Sequence, residues 1–407
     1  MHTATMVPMF AEGAGAEWVA SARDNAELGA MLRGIVVGEV LGVERDVFEA
    51  EVPENVVLMV GAGMGLSAWT AAYYANGSSA ALEAPVRGMV ATHPEGGVVG
   101  DAASGASALA TGSRVPRGAI SRASGEDIMT WLERAESEGI RTGLVTTGAL
   151  TGPTAAAFYA HMDAHDGIQA AASYVSLGDR IEGADGVDVA FVRDAGALTV
   201  AQREALGSRL VVDAEANVEE LTARALERLE ATGDRFVLVV DAAELGVRFE
   251  ALDRTREVLD LASGFDRAVG RAFGFARRRG DTAVVVTADT DQSLSVLDTH
   301  YGFVKGRCGA AKRCGGDFEL IEIDVRGEVE RGEGFADAVM QGEEWAPTKV
   351  VLQYGWLAQL GRDEAGVEGA RTATFVPLFA YGPGSQALRG YSAQPRVGQV
   401  LSGWVTR

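Results

Sequence analysis

The sequence contains few of the residues that build metal clusters or cross-links. Its 407 residues include two cysteines and five histidines. The cysteines, Cys308 and Cys314, have no cluster of histidine or cysteine beside them, so a zinc knuckle is not predicted. They either form one small-loop disulfide or stay reduced, and the sequence leaves both alternatives open.

Positive charge and long apolar runs are also scarce. There are 36 Lys and Arg against 57 Asp and Glu, which gives a formal net charge of −21. This balance argues against a nucleic-acid partner, because Lys and Arg supply the affinity for phosphates. No apolar run reaches the roughly 18 residues of a membrane span, so no membrane association is expected. The first residues lack the basic and apolar regions of a signal peptide, which predicts the cytoplasm only if Met1 is the true start.

Short apolar runs alternate with helical patterns along most of the chain. The runs end in Gly, Asp or Thr, and they fall at 55–65, 141–150, 235–244, 281–291 and 373–384. Their continuous hydrophobicity is typical of strands that are covered on both faces. Helical spacing marks 125–139, 218–233 and 251–280. The pattern predicts an α/β fold with a central, mainly parallel sheet and helices on both faces, and with chemistry at the carboxyl ends of the strands.

Residues 300–350 differ in composition from the rest of the chain. They are richer in Gly and charged residues and contain one strand-like stretch, "FELIEIDV". We predict an inserted small subdomain at about 300–350, within a domain that spans 37–407.

The two ends of the chain repeat one another. "HTATMVPMFAEGAG" (2–15) aligns without gaps to "RTATFVPLFAYGPG" (371–384), and the likeness extends over 2–36 and 371–405. We predict that 1–36 duplicates a terminal strand–helix unit and is the tail of a lost upstream copy. As a present structure, this segment either occupies the matching slot of a neighbouring molecule or packs locally as an extra strand.

The strand ends resemble those of one known family. "VLMVGAGMG", "GDAASGASALATG", "RTGLVTTGALTGPTAAAFYAH", "FVLVVDAAEL", "VLDLASGFDRAVG", "AVVVTAD" and "VPLFAYGPG" occur in the order of the alkaline phosphatase family. The resemblance implies an alkaline-phosphatase-like fold, a homodimer, and export to the periplasm or the extracellular space, so the compartment stays open. It also implies a phosphoric monoester hydrolase with two zinc ions, one magnesium ion and a serine nucleophile.

The nucleophile and the phosphate clamp of that family are replaced in this chain. Ala102 stands at the serine position and His165 at the position of the arginine that clamps the substrate. Ser104 is two residues beyond Ala102, which turns its side chain to another side of a helix. An alanine cannot attack phosphorus, and a mostly neutral histidine does not hold phosphate as arginine does.

Most metal ligands implied by the resemblance are missing as well. Asp289 is retained, Thr154 matches the magnesium-binding threonine, and Asp241 stands for a glutamate, so these three form the remnant of the metal sites. The other ligand positions carry residues of the wrong type: Ala62, Gly152, Gly246, Glu250, Thr290 and Arg371. Neither zinc site reaches the three protein ligands that catalytic zinc requires. No bound cofactor is therefore expected, with a weakly held divalent cation as the alternative.

The sequence thus predicts a catalytically inactive member of the family, a pseudo-phosphatase with an assembly or binding role. Its partner would be a second copy or a tandem phosphatase domain. The rival hypothesis is residual metal-dependent hydrolysis of phosphomonoesters through Asp241 and Asp289. The acids that remain, including Asp101, have a second interpretation as caps and turn formers. For His161, in the matched "FYAH" stretch, we predict a packing role inside a helix.

Overall fold

The computed structural model describes residues 52–250, 255–292 and 371–406, four strands between 294 and 354, and residues 6, 7, 9 and 31 singly. Most of the predicted duplicate at 1–36 lies outside the described residues, as do Cys308, Cys314 and much of 300–350. The predicted domain boundaries therefore stay predictions.

Seventeen strands are described. In chain order they are β1 (Asn55–Gly61), β2 (Val86–Ala91), β3 (Arg122–Ala123), β4 (Glu126–Asp127), β5 (Arg141–Ala149), β6 (Val189–Asp194), β7 (Leu210–Val212), β8 (Phe236–Ala242), β9 (Thr282–Thr287), β10 (Asp291–Gln292), β11 (Leu294–Asp298), β12 (Ile321–Asp324), β13 (Val329–Arg331), β14 (Lys349–Tyr354), β15 (Arg371–Thr372), β16 (Val376–Tyr381) and β17 (Gly390–Ala393).

Eleven α-helices with described bounds connect or flank these strands. They are α1 (Leu66–Asn76), α2 (Ala102–Thr111), α3 (Trp131–Ser137), α4 (Pro153–Ala156), α5 (Gly167–Val175), α6 (Leu177–Arg180), α7 (Val200–Leu206), α8 (Val218–Glu230), α9 (Ala243–Glu250), α10 (Thr255–Arg279) and α11 (Gln394–Val405). No helix in the described part of the chain combines the length and the apolar character needed to cross a bilayer.

A nine-stranded sheet forms the centre of the protein, in the order β17-β2-β16-β9-β1-β8-β5-β6-β7. The strands from β9 to β7 run parallel to one another. Only β16 runs antiparallel to its neighbours, β2 and β9. The predicted mainly parallel sheet is confirmed. Strands β11 to β14 form a separate four-stranded sheet.

The core lies on both sides of the central strands. Every residue of β1, β8 and β9 is buried, which is why their sequences are continuously apolar. Helices α1, α8 and α9 each contact α10, while α2, α3, α4 and α11 form a second connected group. These two groups make the two helical layers that the alternating pattern predicts.

The predicted helix at 125–139 begins later than the apolar spacing indicates. Its first part forms the hairpin β3–β4, in which Arg122 pairs with Asp127. Ser124 and Gly125 lie at the turn with φ values of 53° and 80°, the combination that a two-residue hairpin turn requires. Helix α3 then starts after Thr130, whose side chain accepts a hydrogen bond from the Glu133 N–H in a capping box.

Candidate site at the carboxyl edge of the sheet

The residues predicted to be the metal-site remnant lie at or beside the carboxyl ends of β1, β8 and β9. The three strands are parallel neighbours, so their carboxyl ends lie side by side, as they do at the ligand sites of open α/β sheets. We call this region the carboxyl edge: residues 61–65, Asp241 and Asp289, with Thr154 from α4.

Asp289 is fully buried and fully hydrogen-bonded. Its Oδ1 accepts from the N–H groups of Gly63 at 3.1 Å and Thr290 at 2.7 Å. Its Oδ2 accepts from the hydroxyl of Thr154 at 3.1 Å. Burial raises the pKa of Asp289 above its ordinary value, although the Gly63 N–H and the charge of Arg371 act in the opposite direction. The structure therefore brings together two of the three predicted remnant residues.

Asp241, the third remnant residue, is equally buried but only half satisfied. Its Oδ2 accepts a hydrogen bond from the Thr146 hydroxyl at 2.8 Å. Its Oδ1 has no hydrogen-bond partner among the described residues. Burial raises the pKa of Asp241 to about 8; the Thr146 hydrogen bond opposes this shift and the charge of Asp289 adds to it. At neutral pH this carboxyl is therefore mostly protonated.

Ala62 and Gly246, two positions that carry no metal-binding side chain, are neighbours in the structure. A Cβ built on Gly246, in α9, would lie 3.1 Å from the Cβ of Ala62, in the turn after β1. By the resemblance, both positions carry aspartates that bind metal ions. The structure places a methyl group and a hydrogen atom at these two positions, so this part of the site offers no side-chain donor atom.

The nucleophile position is the first residue of α2. Ala102 follows the cap residue Asp101, which accepts from the Ser104 N–H at 2.8 Å, the Ser104 hydroxyl at 2.7 Å and the Gly118 N–H at 2.8 Å. Asp101 therefore has a structural role as a helix cap, in line with its second interpretation. Ser104 is 2% exposed and its hydroxyl is engaged with Asp101, so it does not supply the missing nucleophile.

Arg371 stands beside the chain that follows Asp289. The pairing of β10 with β15 sets Gln292 against Arg371 and Asp291 against Thr372. A permanent guanidinium charge is thereby placed at a position where the resemblance implies a zinc ligand, and it acts on Asp289. The side chain of Glu250 lies outside the described part of the structure.

Asp291 belongs to the same edge and was missed by the sequence reasoning. Its carboxylate accepts a hydrogen bond from the Thr372 hydroxyl, and burial raises its pKa to about 7. A Cβ on Gly65 would lie 1.5 Å from Asp291 Oδ1, so only glycine fits at that position. The signal that could have found Asp291 is the second acid in "TADTD".

The residue at the clamp position is hydrogen-bonded to the backbone. His165 is exposed, and its Nε2 lies 2.8 Å from the carbonyl oxygen of Thr151, to which it donates. The ring therefore ties its loop to the residue before Gly152, which is the N-cap of α4. A single hydrogen bond from an imidazole does not replace the two parallel hydrogen bonds of an arginine clamp.

The donor set does not fit the metal ions that the resemblance implies. Within the described residues there is no group of three or more His, Cys, Asp and Glu side chains placed to hold a metal ion. Catalytic zinc takes three protein ligands, and a carboxyl must be ionised to serve as one. Asp289 and Asp241 provide two carboxyl groups, one fewer than the three ligands of catalytic zinc.

Comparisons with known proteins agree with the fold. The family model described as "Alkaline phosphatase" matches residues 53–183 and 209–405. Alkaline phosphatase 4 of Bacillus subtilis (strain 168) is 25% identical over 414 residues, which cover 83% of this chain and 85% of the relative. Streptomycin-6-phosphate phosphatase of Streptomyces griseus is 33% identical over 151 residues, or 34% of each chain.

Solved structures show the same architecture. The alkaline phosphatase from the Antarctic bacterium TAB5 superposes with a TM-score of 0.62 at 19% identity, covering 88% of this chain and 99% of that one. A variant of that enzyme was solved with magnesium bound. These likenesses establish the alkaline-phosphatase-like fold that the sequence predicted. Because the family model matches well over half of its residues, the chain belongs to the alkaline phosphatase family.

Proposed function

We propose that this chain is a non-catalytic member of the alkaline phosphatase family that acts through binding or assembly. The observation that carries the proposal is the joint loss of reactive atoms in one place. Ala102 lacks the nucleophile's hydroxyl, and Ala62 and Gly246 lack the carboxylates that would hold metal ions. A single such change is compatible with altered chemistry, but the three together remove both the attacking group and its activators.

The electrostatics of the carboxyl edge support the same proposal. In a metal site the ions offset the burial of carboxylates. Here Asp241 accepts one hydrogen bond from Thr146, and Asp289 receives Thr154 and backbone N–H groups as donors. The chain's own donors therefore satisfy Asp289 in full and Asp241 through its Oδ2 alone.

The rest of the scaffold supports a folded, binding role. The strands that carry the carboxyl edge are buried along their whole length, so the loss of chemistry is not accompanied by a loss of core. The proposed partner is a second copy of the chain or a tandem phosphatase domain. A net charge of −21 disfavours nucleic acid as the partner.

The rival function is residual phosphomonoester hydrolysis, and the meeting of Asp289 with Thr154 is the observation that favours it. The experiment compares wild type with Asp289→Asn, expressed and purified side by side, on a chromogenic phosphate ester with added zinc, added magnesium or chelator. Metal content is measured on the same samples after dialysis.

We expect the same background rate from both proteins in all three conditions, with less than one zinc ion per chain after dialysis. A rate that rises with zinc in wild type and disappears in Asp289→Asn would contradict the proposal. Sedimentation equilibrium tests the partner: a dimer supports self-assembly, whereas a monomer at micromolar concentration leaves the tandem domain as the proposed partner.

A further inference from the structure

His161 lies inside the protein between two hydrogen-bond acceptors. Its side chain is 6% exposed and that of Glu133 is 3% exposed. The ring Nδ1 is 2.9 Å from the carbonyl oxygen of Ser121. The ring Nε2 is 2.9 and 3.1 Å from the two carboxylate oxygens of Glu133. The site is far along the chain from Asp289 and includes no residue of the carboxyl edge.

A neutral imidazole has one N–H donor and one lone pair, so it cannot donate to both the Ser121 carbonyl and the Glu133 carboxylate. Whichever nitrogen lacked the proton would direct its lone pair at an acceptor oxygen. We infer that His161 is present as a doubly protonated imidazolium. Its hydrogen bonds tie the 157–165 segment to α3, and loss of one ring proton releases this tie.

The charged groups around the ring come from three elements. Glu133 on α3 is the direct partner. Arg180 on α6 lies 3.5 Å from a Glu133 oxygen and donates to the Tyr159 carbonyl at 2.7 Å. Asp127 on β4 acts from a longer distance. Burial lowers the pKa of His161, but Glu133, the Ser121 carbonyl and Asp127 raise it, and the net pKa lies above the ordinary value of 6.5.

The tie holds a strained residue in place. Ser121 has a φ of 43°, a left-handed conformation that a residue with a side chain rarely adopts. Its N–H donates to the Ser107 hydroxyl at 2.8 Å, and its carbonyl accepts from the Ile128 N–H at 2.9 Å as well as from His161. The imidazolium therefore helps to fix a backbone conformation that has an intrinsic cost.

The tie also reaches the segment that carries the clamp position. Ile120 and Met162 exchange two backbone hydrogen bonds of 2.9 Å, and the His165 N–H donates to the Gly118 carbonyl at 2.9 Å. Residues 118–121 and 157–165 thus form one hydrogen-bonded unit next to α3, with His161 as its charged link.

The sign of the pH effect follows from linkage. The pKa of His161 is raised on folding, so its contribution to stability is complete below about pH 6.5 and is lost as the pH rises through the folded-state pKa. Between those two values the unfolding equilibrium constant rises by up to about tenfold per pH unit. Other buried acids, Glu136 and Asp291 with pKa values of about 7 and Asp241 of about 8, act in the same direction.

A difference between matched variants isolates the His161 contribution. Urea unfolding between pH 6 and 9 is compared for wild type, His161→Gln and His93→Gln, whose residue lies outside this unit in the loop after β2. We expect the unfolding constant of wild type and His93→Gln to rise more steeply with pH than that of His161→Gln. Equal slopes for all three proteins overturn the inference.

A second measurement uses the wild-type protein, so it does not depend on the folding of a variant. Nitrogen-15 NMR of the histidine rings reports whether both nitrogens of His161 carry protons. We expect two ring N–H groups at pH 7 and a titration midpoint above 6.5 that moves down in Glu133→Gln. A single ring N–H at pH 6.5, or a midpoint below 6.5, overturns the inference.

Discussion

The carboxyl edge and the His161–Glu133 pair surround buried carboxyl groups with different partners. Asp241 and Glu133 are each 2% exposed. Glu133 faces the His161 ring and Arg180, whereas Asp241 faces a threonine hydroxyl and a second acid. Asp241 therefore takes the neutral form, and one of its oxygens has no partner in the described structure. Two carboxyl groups with the same burial therefore have different hydrogen-bonding and charged partners.

Glu136 shows the same contrast within one helix. It lies three residues after Glu133 on α3 and is also 2% exposed. It accepts a hydrogen bond from the Thr142 hydroxyl, and burial raises its pKa to about 7, with the charges of Asp188 and Asp185 adding to the shift. Two glutamates on one helix are thus held differently because one meets cations and the other meets acids.

The largest loss of stability is expected when Glu133, the partner of His161, is removed. Glu133→Ala leaves the His161 imidazolium buried without its partner, which destabilises the protein by about 3 kcal/mol or more at pH 6. Urea unfolding measures this loss. The control is Glu138→Ala, at an exposed position just after the same helix, with an expected change within about 0.5 kcal/mol. A loss below about 1 kcal/mol for Glu133→Ala would remove the contrast between the two regions.

A smaller loss of stability is expected from a substitution where α2 packs on the carboxyl edge. A Cβ on Gly105 would lie 2.2 Å from the backbone oxygen of Asp289. Gly105→Ala therefore overpacks this contact and lowers the free energy of unfolding by about 2 kcal/mol. Gly274→Ala is the matched control within α10, because no atom lies within 4 Å of the added Cβ. There we expect a gain of up to about 1 kcal/mol from helix propensity. Equal effects of both variants would show that the edge is not tightly packed.

The smallest change in stability is expected at Asp241, whose Oδ1 has no hydrogen-bond partner among the described residues. Asp241→Asn replaces a carboxyl that is mostly protonated by an amide of the same shape, so the free energy of unfolding should stay within about 1 kcal/mol of wild type at pH 7. Thermal melting with and without zinc, magnesium or chelator measures it. If a bound ion held Asp241 in its charged form, the variant would lose both stability and its response to metal, and the contrast between Asp241 and Glu133 would disappear.

The strands and the long helices were predictable because their pattern is local. The apolar runs at 55–65 and 281–291 became β1 and β9, since a strand buried on both faces needs a continuous apolar sequence. The start of the helix at 125–139 was not predictable from spacing, because the hairpin at Ser124 and Gly125 competes with it. His161 was placed in a helix, but α4 ends at Ala156, and the ring is fixed by contacts made after the turn.

The contacts of the remnant site were only partly predictable, because they join residues that are far apart in the sequence. The resemblance assigns Thr154 and Asp241 to the magnesium site and Asp289 to a zinc site, whereas the structure joins Thr154 to Asp289. The Thr146 hydroxyl on Asp241 and the Thr372 hydroxyl on Asp291 were missed. These pairs join residues 95 and 81 positions apart, and nothing in a local pattern specifies which hydroxyl reaches which acid.

The sequence by itself determined which atoms are absent. A methyl group at Ala62 and Ala102 and a bare glycine at Gly246 cannot bind a cation or attack phosphorus in any conformation. Only the tertiary structure decided the protonation of the acids that remain, because the charge of a carboxyl depends on its burial and on the groups that folding brings against it. Asp241, Glu133 and Glu136 differ in their surroundings and not in their chemistry.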